Sequence, residues 1–156
     1  MNIRRAQPSE SREVREWIMA HHYTQTAPPG YIVALEFLDV GRRVGAMLLG
    51  RPTSRELDER TWLELTRMYF VDEAPKNTES HALGLMRKWV RTWMPSVKAL
   101  LAYSDPSVGH RGTVYLADGW AAFGRTRNGS QGWKNRPGRR ATAGPPSRKI
   151  RWVRTP

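Results

Sequence analysis

Cysteine is absent from this 156-residue chain. That excludes a disulfide frame, a thiolate nucleophile and a cysteine-ligated zinc site. Long apolar runs are lacking too: no stretch approaches the roughly 20 residues that span a bilayer, so no membrane role is expected. The opening residues, MNIRRAQPSESRE, carry charge with no apolar run behind them, so a secretory leader is not expected and a cytoplasmic protein is. Acidic residues are missing from the C-terminal part. All 14 precede residue 125, where they face 16 of the 26 lysines and arginines; residues 125–156 hold ten cations and no acid. The net charge of +12 is therefore mainly a C-terminal property.

The length suits one domain with a real core. The division expected is a folded unit over 1–124 and a basic Gly/Pro/Arg-rich segment over 125–156, with a last strand at 148–153. That segment has little to bury. Arg125, Arg127, Lys134, Arg136, Arg139, Arg140, Arg148 and Lys149 suit a polyanion, because neutralising phosphates releases condensed counterions. Trp133 and Trp152 lie among the arginines and are candidates to stack on unpaired bases. Composition alone fits a solubilising tail equally well.

Periodicity supplies the elements. SESREVREWIMAHHY reads as a helix capped by Ser9 or Ser11, with Val14, Trp17, Ile18 and His21 at helical spacing. YIVALEFL and RRVGAMLLG read as a hairpin closed at Asp39-Val40-Gly41-Arg42. TWLELTRMYFV alternates as a strand with apolar and polar groups on both faces, which predicts a central position beside a cleft. Glu64 and Arg67, three apart, are expected on opposite faces of it. A helix over 79–94 follows, capped by Asn77 or Thr78, then a buried strand VKALLAY, a short helix GTVYLADG ended by Gly119, and a strand WAAFGRT. The strand–helix–strand crossover demands parallel neighbours and the hairpin is antiparallel. An α/β (α+β) mixed sheet with helices on both faces is the predicted architecture.

Ligands in such sheets bind beyond the carboxyl ends of parallel strands. The crossover strands end at Tyr69-Phe70-Val71 and Tyr103-Ser104-Asp105. Ser104 and Asp105 should then lie beside the helix start at Asn77-Thr78, whose unpaired amides and dipole suit an anion. Ser-Asp-Pro is also an ordinary turn signal. Glu64 is a candidate base or ion-pair partner, and Arg67 a candidate carboxylate or phosphate holder. His21 and His22 point about 100° apart on a helix, so one ion cannot easily take both; capping or packing is the simpler role.

The order of elements resembles the GNAT N-acyltransferase fold. That family holds the coenzyme A pyrophosphate in a Gly-rich loop before the crossover helix. Here VDEAPKNTESHALG has no glycine ahead of the helix, and Pro75 removes an amide, which disfavours acetyl-coenzyme A. A narrower pattern covers residues 17 to 124: HHY, then E-L-x-R-M, P-x-N-x-E-S, a strand ending in aromatic, small residue and Asp, and G-T-x-Y-x-A-x-G-[FW]. It resembles the Mom family of phage DNA-modification proteins. The resemblance implies a transferase that places a carbamoylmethyl-type group on the exocyclic amine of adenine, protecting phage DNA from restriction. It implies double-stranded DNA as partner and the bacterial host cytoplasm as location. It implies a cleft of Tyr23, Glu64, Arg67, Asn77, Ser80, Ser104, Asp105 and Tyr115. Asp105 is the candidate general base, Ser104 or Tyr115 would orient the amine, and Tyr23 or Tyr103 would stack on the flipped base. Asn77, Thr78 and Ser80 are the candidate cofactor contacts. The group donor stays open; iron is compatible, with His21 and His22 as ligands. The oligomeric state is open, a homodimer being allowed. Two other readings compete: an ordinary GNAT acyltransferase acting on a small amine or a protein, and a non-catalytic nucleic-acid-binding module.

Overall fold

Seven strands form one mixed sheet in the order β1-β2-β3-β4-β5-β7-β6. The strands are β1 (Asn2–Arg5), β2 (Val33–Asp39), β3 (Arg42–Gly50), β4 (Trp62–Phe70), β5 (Ala99–Ser104), β6 (Ala121–Arg125) and β7 (Ile150–Arg154). The helices are α1 (Pro8–His21), α2 (Thr78–Trp93) and α3 (Thr113–Ala117), with a single 3-10 turn at Pro106–Val108. This computed structural model describes residues 1–28, 30–126 and 148–156.

The predicted architecture holds, and β4 is central. It pairs antiparallel with β3 and parallel with β5. β1 is an edge strand that the sequence reading missed; four residues are too few for a periodic signal. β7 enters between β5 and β6, antiparallel to both, so the C-terminal residues complete the same sheet. The β2–β3 turn puts Val40 at φ 46° and Gly41 at φ 77°, the two positive angles of a hairpin turn whose twist matches its strands.

Alternation divides the core. On one face Leu35, Phe37, Met47, Leu49, Leu63, Leu65 and Leu100 meet Ala82, Leu83, Met86 and Val90 of α2 and Tyr115 of α3. On the other, Ala34, Ala46 and Leu48 meet Val14 and Ile18 of α1. The α1 cap is not serine. Gln7 caps it in a reciprocal box with Glu10, and Pro8 occupies the first turn, where its missing N–H costs nothing. Ser11 instead donates to the Pro8 carbonyl.

One ion network ties α1 to its sheet face. Glu36, 1% exposed, accepts from Arg4 and from Arg43. Arg43 also donates to Glu13 of α1 at 2.7 and 2.8 Å, and Arg4 to Glu10. A buried carboxylate is tolerable only with such partners. Glu36→Ala removes the shared acceptor and should lower the unfolding free energy by about 3 kcal/mol in urea titration. A loss under about 1 kcal/mol would remove this network from the determinants of the α1 position.

Candidate active site

The parallel pairing of β4 and β5 runs from Trp62 opposite Ala99 to Leu65 opposite Ala102 and stops there, although β4 continues to Phe70 and β5 to Ser104. The strands part as expected. On its other side β4 carries a bulge: Leu49 faces Leu65 and Leu48 faces Arg67, so Thr66 is the extra residue. The bulge restarts the alternation. Glu64, opposite Gly50, and Arg67, opposite Leu48, therefore share the α1 face, which corrects the opposite-face expectation.

Arg67 works as a brace. Its Nε donates to the Thr26 carbonyl at 2.7 Å and Nη1 to the carbonyl of the bulged Thr66 at 2.6 Å. The loop after α1 is thereby fastened to β4. Glu64 is buried, and its Oε2 accepts from the Thr53 amide at 2.7 Å and the Thr53 hydroxyl at 3.0 Å. Burial raises its pKa, against the pull of Thr53, Arg67 and Lys149. Neither Thr26 nor Thr53 had a signal in the sequence, since each acts from an irregular loop.

Beyond α1 the chain turns extended at His22, and Tyr23 follows with half its surface exposed. The Tyr23 ring lies 4.4 Å from His22 and 4.8 Å from His110, centroid to centroid. Burial and then the Asp105 charge raise the Tyr23 phenol pKa, so it keeps its proton at neutral pH. His22 is pushed down to about 4 by burial, Arg67 and His110, and is neutral. Its Nδ1 accepts the Thr24 amide, which leaves the ring proton on Nε2.

Asp105, 6% exposed, accepts from the Ser107 amide at 3.0 Å and the Ser107 hydroxyl at 2.6 Å through Oδ1. Its carbonyl accepts the His110 amide, fixing the loop that brings His110 to Tyr23. Gly112 anchors that loop at φ 82°; a Cβ there would lie 2.2 Å from the Trp152 ring. Trp152 is thus a core residue, 2% exposed, and not a surface for bases. Its indole N–H donates to the Ser104 hydroxyl at 2.8 Å. The Tyr115 ring is buried against Trp152 and Trp120, and burial raises its phenol pKa. Ser104 and Tyr115 belong to the α2 face, whereas Tyr23, Glu64 and Arg67 gather on the α1 face, with Asp105 at the strand end beside Tyr23.

At the α2 start a cavity of about 400 Å³ is lined by Phe70–Asp72, Ala74–Ser80 and Thr113, Val114 and Ala117 of α3. Ser104 and Asp105 do not line it, contrary to expectation, because α3 closes that side. Asn77 precedes α2 at φ 68° without a side-chain cap. Thr78 donates its hydroxyl to Pro75, and Ser80 to the Asn77 carbonyl. The amides of Glu79 and Ser80 have no acceptor within a helix at these positions. With Lys76 they offer donors for a phosphate despite the missing glycines, so a coenzyme A pyrophosphate fits this lining in part.

The histidines do not fit iron. The His21 ring stacks on Tyr69 at 5.2 Å and its Nδ1 lies 2.7 Å from the Trp17 carbonyl, while His22 turns to Thr24 and Tyr23. The two diverge, and among the described residues no three His, Asp or Glu side chains converge on one point. Among the tail cations, Arg127, Lys134, Arg136, Arg139 and Arg140 lie outside the described residues, as does Trp133. Arg125 ends β6, and Arg148 and Lys149 precede β7. No described helix is long and apolar enough to cross a membrane.

Known proteins resemble this chain in two ways. Solved structures share the fold: an aminoglycoside 6'-N-acetyltransferase complexed with coenzyme A superposes with a TM-score of 0.66 at 13% identity, covering 99% of this chain and 97% of that one. A GNAT-family acetyltransferase from Streptococcus pneumoniae gives a TM-score of 0.66 at 10% identity, over 99% and 98% of the two chains. In sequence, the methylcarbamoylase Mom of Escherichia phage Mu is 36% identical over 75 residues, 48% of this chain and 31% of that protein. The match thus spans under a third of the relative's length. The model of the Mom protein family matches residues 5–141, most of the length, and the chain belongs to that family.

Proposed function

We propose that this protein is a DNA-modifying transferase that places a carbamoylmethyl-type group on the exocyclic amine of adenine, with protection of phage DNA from restriction as the outcome. The observation that carries the reading is the meeting of Tyr23, Arg67, Glu64 and Asp105 where β4 and β5 part, in a chain of the Mom family. The phage Mu relative is named a methylcarbamoylase, which supports the choice of group.

The adenine amine is a weak nucleophile, its lone pair being delocalised into the ring. In the proposed step the amine nitrogen forms a bond to an electrophilic carbon of the donor, and the donor's leaving group departs with the bonding pair. The amine proton passes to the Asp105 carboxylate. Ser107 holds that carboxylate in place, and its position beside Tyr23 suits a positioned base. Tyr23, protonated and half-exposed, presents a ring for the extruded base and a phenol to donate a hydrogen bond. Glu64 and Arg67 hold the floor of the cleft.

A second reading, an acyl group delivered from coenzyme A, is favoured by the cavity at the α2 start and by the coenzyme-bound structural neighbour. Lys76, Asn77 and the first amides of α2 would hold the phosphates, and the coenzyme would supply a thioester. Calorimetric titration with coenzyme A separates the readings: binding favours this donor class, and its absence favours another.

Expression in bacteria, digestion of their DNA to nucleosides and mass spectrometry test the main reading. A deoxyadenosine peak heavier by one carbamoylmethyl unit is expected. An unmodified profile, from folded protein in a phage-infected host that can supply the donor, counts against it. Asp105→Asn should cut modification by about 100-fold or more while DNA affinity stays intact; undiminished yield would remove Asp105 as the base. His22 gives a pH prediction. Its folded pKa, about 4, lies below the ordinary 6.5, so the unfolded chain binds more protons between these values. Thermal stability should fall as pH drops from 6.5 towards 4, and His22→Asn should flatten that fall. An unchanged slope would mean that His22 is not held neutral.

A further inference from the structure

The α1 face continues past β4 and β5 onto β7. Tyr103 faces Arg151 and Leu101 faces Val153 across the β5–β7 pair. Glu64 faces Leu101 across β4–β5, so by alternation Glu64, Tyr103, Arg151 and Lys149 all point to this side. The principal contacts of α1 are to β2, β3 and β4, and Tyr103 and Arg151 stay partly exposed. The Arg151 guanidinium lies over the Tyr103 ring, 5.9 Å from its centroid, and its Nε is buried with no hydrogen-bond partner among the described residues. Lys149 is exposed.

The local charge is unbalanced. Among the described residues no salt bridge includes Arg67, Lys149 or Arg151. The nearby acid, Glu64, is already held by Thr53. By contrast Arg4 of β1 and Arg43 of β3 are neutralised by Glu36, Glu10 and Glu13. Glu64 sits on this face and its charge reaches Lys149, yet it is buried and held by Thr53, so the more exposed charges at the β7 end of this face are cationic.

We propose that Tyr103, Lys149 and Arg151 form a binding track for the phosphodiester backbone of a single nucleic-acid strand, leading to the parting of β4 and β5. Two residues apart on a strand, the cations are spaced roughly 6.6 Å along it, comparable to successive phosphates of an extended strand. A compact anion would need converging donors; here they are strung in a row. Tyr103, with the guanidinium fixed on its ring, adds a π-surface on which a neighbouring base stacks whatever its identity. This inference rests on the DNA reading above, and adds where and in what form the strand lies. An extruded adenine leaves its own strand locally unpaired, and such a strand needs a seat.

The test is fluorescence anisotropy with a labelled single-stranded oligonucleotide across a salt series. Lys149→Ala/Arg151→Ala should reduce the slope of log affinity against log salt by about 1.4, or about 0.7 per lost phosphate contact. Arg12→Ala/Lys88→Ala, which removes equal charge from the outer faces of α1 and α2, should leave the slope unchanged. Lys149→Ala alone, at an exposed position, should give about half the effect and guards against misfolding of the double variant. Wild-type binding with equal slopes in all variants overturns the track and leaves the DNA reading standing. A wild type that binds no oligonucleotide, single- or double-stranded, overturns both.

Discussion

The site depends on what Arg67 does at the place where β4 and β5 separate. Parting two strands exposes backbone groups that need partners. The Thr66 bulge adds a carbonyl outside the regular ladder, and the Arg67 guanidinium caps it while gripping the Thr26 carbonyl. One side chain thereby stabilises the irregular strand and ties the loop that begins with His22 and Tyr23. A lysine lacks the planar fork needed for both contacts. Because its donors are spent on backbone, Arg67 shapes the cleft more than it binds within it.

Positioning then passes outward through other fixed contacts. Glu36 and its arginines lock α1 onto the sheet, and α1 delivers Tyr23 at its end. From the opposite direction β7 inserts Trp152 beneath Gly112 and against Ser104, which sets the loop carrying Asp105 and His110. Tyr23 is held where these two supports meet, its ring centroid 4.4 Å from that of His22 and 4.8 Å from that of His110. The C-terminal strand is therefore part of the machinery that places the carboxylate, although composition marked it mainly as basic.

The regular elements were legible because hydrophobic periodicity declares them. The hairpin, the crossover and the central place of β4 all follow from alternation and from Gly41, Pro95 and Gly119. The failures come where regularity breaks. Counting by twos put Glu64 and Arg67 on opposite faces, and a single bulged residue reversed that. Serine was the expected α1 cap, but a glutamine box with Pro8 starts the helix one turn earlier. Trp152 looked like a stacking surface because arginines flank it in sequence, yet alternation within β7 turns the indole into the core and Arg151 away from it. The central strand and its neighbour's end offered Glu64, Arg67 and Asp105 as candidates and the resemblance added Tyr23, but no local rule predicted that Thr26, Thr53 and Ser107 would hold three of them.

The two faces of the sheet divide the proposed chemistry. On the α2 side lies the cavity at the helix start, with amides and Lys76 suited to an anionic donor. On the α1 side lie Tyr23, Glu64 and Arg67, and further along the cations of β7. A sheet is otherwise a wall, since its ladder leaves no gap between strands 4.8 Å apart. Where β4 and β5 separate beyond Leu65 and Ala102, that wall opens. Thr113 and Val114 of α3 line the cavity and Asp105 does not, so the cavity on the α2 side and the Tyr23 cleft on the α1 side are separate places, with Asp105 at the edge of the latter. The same separation that makes a bulge and a bracing arginine necessary for stability is, on this reading, what gives an extruded base its place beside Asp105.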